Sequence, residues 1–106
     1  MMILDITLFI NKKTGKKVKD YENVRVFHKV FELPFIPQNK MKLVLPAVNP
    51  SNIQTLKRCA YNTATGKFQG IVDVDVTAEW LRSEGNAYFA ALAAAGWLKG
   101  YGGIFA

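Results

Sequence analysis

The sequence predicts an α+β domain, a curled antiparallel sheet of about five strands (two hairpins plus a short central strand) packed on one C-terminal helix. Three observations carry this expectation. The pattern Asn-x-x-Thr-Gly-Lys occurs twice, at residues 11–16 and 62–67, each time between strand-like runs. Apolar and polar residues alternate along residues 3–11 and 68–76. Past Val76 the apolar period lengthens from that of a strand to that of a helix.

Residues 3–11 form the first strand. Asp5 sits inside its apolar run and no basic residue precedes it, which is unlike a secretory leader. At residues 11–16 the asparagine suits the first position of a type I turn. The glycine suits the positive φ that follows in a tight hairpin. A phosphate-cradling loop would need more glycine, a following Ser or Thr and a helix start, and neither copy has them. The partner strand starts near Lys16 and, after the polar residues 20–23, resumes over residues 24–33. Pro34 and Pro37 then interrupt it, because proline lacks the amide donor that a ladder requires.

Residues 41–45 read as a short third strand and residues 46–52 as a loop. The second hairpin pairs residues 53–61 with 68–76, where Val72, Val74 and Val76 alternate with Asp73 and Asp75. Thr77 caps a helix in which Trp80, Leu81, Glu84, Tyr88, Phe89 and Leu92 recur at helical spacing. Gly85 loosens its middle, and Gly96 and Gly100 offer stops. Residues 100–106 are a tail or a short edge strand. The helix is apolar nearly all round from residue 87 to 95, more than one sheet face requires. Either the sheet curls around it, or the small face of Ala90, Ala91, Ala94 and Ala95 packs against a second subunit. A homodimer is the expectation.

Composition bounds the rest. A chain of 106 residues, 50% apolar and 21% charged, is enough for one domain over residues 1–106 with a real core. Cys59 is the sole cysteine, so an internal disulfide and a thiolate metal site are excluded, which fits a reducing compartment. The longest apolar run, residues 87–98, falls short of the roughly 18–20 residues that cross a bilayer. A cytoplasmic protein without membrane attachment is expected. The net charge of +6 is lopsided: residues 1–50 hold nine Lys or Arg against four acids, residues 51–106 five against four. Such asymmetry favours a polyanionic partner without specifying one.

On the second strand, Arg25, Phe27, Lys29 and Phe31 share one face by alternation, and Val24, Val26, His28 and Val30 the other. Basic and aromatic residues interleaved in this way suit single-stranded nucleic acid, whose bases stack on rings while cations follow the phosphates. Lys12, Lys13, Lys16, Lys17 and Lys19 would extend that footprint. The competing reading, which composition favours, puts both phenylalanines in the core with Arg25 and Lys29 lying over apolar surface.

Asp73 and Asp75 project side by side, and Asp5 would join them if the first strand lay next to theirs; alternating acids are otherwise a strand's solvated face. His28 is the only histidine. Lys57 and Arg58 precede Cys59 and would favour its thiolate, although alternation points Arg58 to the opposite face. No third orienting group completes a catalytic set.

No catalytic residue, metal or cofactor is therefore assigned. The expected function is a small non-catalytic binding or interaction module, homodimeric through the apolar helix or a sheet edge, with another protein as a further class of partner. The alternative is a nucleic-acid-binding protein using Arg25, Phe27, Lys29, Phe31 and the Lys-rich hairpin of Lys12, Lys13, Lys16, Lys17 and Lys19. A weaker one is a small-ligand pocket between sheet and helix, lined by Trp80, Tyr88, Phe89 and Trp97.

Overall fold

The computed structural model describes residues 1–13, 21–48 and 52–101, with the side chains of residues 21–23 left aside. Strand β1 (Met2–Lys13) occupies the middle of a five-stranded sheet. On one side it pairs antiparallel with β2 (Tyr21–Leu33), the first hairpin expected from the sequence. On the other it pairs in parallel with β6 (Lys67–Val76), the distal strand of the second hairpin. With β5 (Lys57–Asn62) outside β6 and the two-residue β7 (Leu98–Lys99) outside β2, the order is β5-β6-β1-β2-β7. The architecture is α+β with a curled sheet packed on one C-terminal helix, α1 (Ala78–Ala94). The expected antiparallel sheet is thus mixed at its centre.

The strand expected over residues 41–45 does not enter this sheet. β3 (Lys42–Val44) instead pairs with β4 (Ile53–Thr55) in a separate two-stranded ribbon. The run expected as one strand over residues 53–61 therefore breaks at Leu56, its first part pairing with β3 and its second with β6. Leu56 is fully buried in the core, its N–H donating to Met41 O at 2.8 Å and its O accepting from Lys40 N at 2.7 Å. It lies over Gly70, where a Cβ would come within 2.4 Å of Leu56 Cδ1. A glycine inside a strand here permits the close approach of ribbon to sheet.

Alternation along β1 sends Leu4, Ile6, Leu8 and Ile10 to the face covered by α1, all fully buried. Each such side chain contributes about 1.5–3 kcal/mol. Around them pack Phe27 from β2, Val72, Val74 and Val76 from β6, Leu45 and Val48 from the segment that follows β3, Tyr88 and Leu92 from α1, and Trp97 beyond it.

The second copy of the repeated motif makes the expected turn. Asn62 Oδ1 accepts from the amides of Ala64 (2.9 Å) and Thr65 (3.3 Å), and Gly66 takes φ +71°. The first copy extends into residues 14–20, outside the described residues. Helix α1 starts where expected, with Thr77 Oγ1 accepting from Trp80 N at 3.2 Å. It ends in a Schellman turn: Gly96 N donates to Ala93 O (3.1 Å) and Trp97 N to Leu92 O (3.0 Å), with Gly96 at φ +95°. Among the described residues no helix is long and apolar enough to cross a membrane.

Candidate interaction surface

Register decides what the basic and aromatic residues of β2 do. Phe27 stands opposite Leu8, Lys29 opposite Ile6 and Phe31 opposite Leu4, so the shared face of Arg25, Phe27, Lys29 and Phe31 is the one beneath α1. Phe27 is 1% exposed and meets Phe89 of the helix at 5.9 Å between ring centroids. Phe31 meets Trp97 edge-on at 5.9 Å. Phe27 therefore has no free ring face on which a base could stack.

The two cations of this face serve the same packing. Lys29 Nζ donates to Ala95 O at 2.5 Å and lies 5.1 Å from the Phe31 ring centre. α1 has no basic residue in its last turn, so a strand lysine meets the negative end of the helix. Arg25 lies over the Phe89 ring at 5.3 Å and donates to Val24 O at 3.0 Å. Lys12 and Lys13 close β1, while Lys16, Lys17 and Lys19 lie outside the described residues.

The aromatic set expected to line a ligand pocket fills the space between helix and sheet with its own rings. Tyr88 and Trp97 are 4% and 3% exposed. Trp80 packs edge-on against Tyr88 at 5.0 Å, and Tyr88 against Phe89 at 5.9 Å. These contacts hold core together.

On the opposite face of the sheet, the amide of Asn11 donates to Asp73 Oδ1 at 3.2 Å and to Asp75 Oδ1 at 3.1 Å, fastening the parallel pair β1/β6. Lys57 Nζ reaches Asp73 Oδ2 at 3.4 Å. Asp5 does not join them. It stands opposite Gln69 whereas Asp73 stands opposite Phe9, four residues further along, which at strand rise is about 13 Å. Among the described residues no group of three or more His, Cys, Asp or Glu converges to hold a metal ion. His28 stands opposite Thr7 and Leu98 on this same face, half-buried. Cys59 is half-buried in β5, and desolvation pushes its thiol above the ordinary value, which opposes the thiolate that Lys57 and Arg58 suggested.

The outward side of α1 differs from all these clusters. Its first two turns expose Glu79, Arg82, Ser83 and Glu84; its last two expose Ala87, Ala90, Ala91, Ala93 and Ala94. Ala87, Ala90, Ala91 and Ala94 follow helical spacing and make one uncharged stripe on the side away from the sheet. Ala95, which the sequence grouped with this stripe, is the C-cap and packs half-buried against the core; Ala87 takes its place. Periodicity projected from the buried Tyr88 and Leu92 would have made that assignment.

Both outer strands of the sheet resist extension. β7 is two residues long, and β5 shifts register between Lys57 and Ala60 with Arg58 at φ +52°. Short strands, bulges and edge charges all discourage edge-to-edge pairing. The sheet edges are thus the poorer interface, and the helix stripe is an uncharged exposed surface beside them. Comparison with protein-family models, with curated proteins and with solved structures yields no match to this chain.

Proposed function

We propose that the chain is a small non-catalytic interaction module that self-associates through the outward face of α1. The observation that carries this reading is the exposed alanine stripe, Ala87, Ala90, Ala91 and Ala94, on a helix whose large apolar side chains turn toward the sheet. Alanine lets two helix axes approach to the short end of the usual 8–10 Å. It has no side-chain entropy to lose and no charge to strip of water. A second copy of the chain offers the same surface, so a two-fold axis through Ala90 and Ala91 closes the assembly as a dimer. The fastening of Lys29, Asn11, Asp73 and the helix aromatics into structural contacts supports a role without catalysis.

Size sets the strength. From Ala87 to Ala94 the stripe runs about 10 Å along the helix, and across a helix width of about 10 Å that is on the order of 100 Å², far less than the roughly 800 Å² per partner of a standard interface. The dimer is therefore weak and concentration-dependent. Light scattering after gel filtration, across a dilution series, should show mass rising toward twice that of the chain as concentration increases. The Ala91→Arg variant, with an unchanged circular dichroism spectrum, should remain monomeric throughout. A wild-type monomer at every concentration, or a mass rise that Ala91→Arg leaves intact, rejects the proposal.

A further inference from the structure

We draw no further inference here: the strongest candidate, the apolar patch that Val26, Val30, Leu98 and Tyr101 make around His28 on the sheet face opposite α1, carries nothing because the structure does not show what covers it.

Discussion

The inward and outward faces of α1 are both apolar over the C-terminal half of the helix, yet one is core and the other meets water. Inward lie Gly85, Tyr88 and Leu92, buried, with Trp80, Leu81 and Phe89 half-buried beside them. Outward lie the alanines. Side-chain size separates the two. Burying a Leu contributes about 1.5–3 kcal/mol, whereas a methyl left in water forgoes under about 1 kcal/mol, and alanine repays part of that through helix propensity. A hydrophobic circumference therefore does not require a sheet that wraps the helix; it requires only that the large groups share a side. It also leaves a surface on which a partner can rest at little desolvation cost.

The contrast can be broken most severely from the inside. Leu92→Ala should lower stability by about 2–5 kcal/mol, since Leu92 is fully buried and its removal leaves a cavity. Urea unfolding would measure it, and a loss below about 1 kcal/mol would mean that the inward face is not the anchor described here. Gly70→Ala attacks the same core from the sheet: its methyl meets Leu56 Cδ1 at 2.4 Å, and Leu56 is itself fully buried. A loss of about 1–3 kcal/mol is expected in the same assay.

Lys29→Met tests the end of the helix. It keeps most of the aliphatic stem over Phe31 and removes the charged donor to Ala95 O. About 1 kcal/mol should go with it, less than for a fully buried charged hydrogen bond because the group is partly solvated. An unchanged urea midpoint would show that the Schellman turn alone fixes this end.

Gly85→Ala has the smallest expected effect, and the opposite sign. The added methyl would sit 3.5 Å from Leu81 Cδ2 and 3.9 Å from Phe89 Cε2, ordinary contacts within a helix that gains from losing a glycine. A rise of about 0.5–1 kcal/mol follows. A thermal midpoint lower than wild type would mean that the inward face has no room to spare.

Local features of the fold were legible because each rests on neighbouring residues. The Asn62 to Lys67 turn needed an asparagine carboxamide and a glycine at positive φ, and both were in view in the sequence. The Thr77 cap and the Gly96 stop were equally plain. The parallel pairing of β1 with β6 was not, because nothing local distinguishes a strand that takes a parallel neighbour from one that takes an antiparallel neighbour. The break at Leu56 was hidden for a similar reason: the close approach that accompanies it is permitted by Gly70 in a strand elsewhere. On β2, Val24, Val26 and Val30 faced one way and Phe27 and Phe31 the other, so alternation gave two half-apolar faces without ranking them. The larger rings went beneath the helix, consistent with the greater area they bury.

The parallel pair at the centre of the sheet also bears on how quickly the chain can reach this structure. Each hairpin closes between segments that are neighbours in sequence, but Asn11 and Asp73, which Asn11 fastens across β1 and β6, are 62 residues apart. Loop closure over that separation must come before the central ladder returns any stabilisation. Topology of this kind folds more slowly than a helical bundle of the same length. A chain in which β1 and β6 have not yet met leaves their inner flanks open to pairing with other chains.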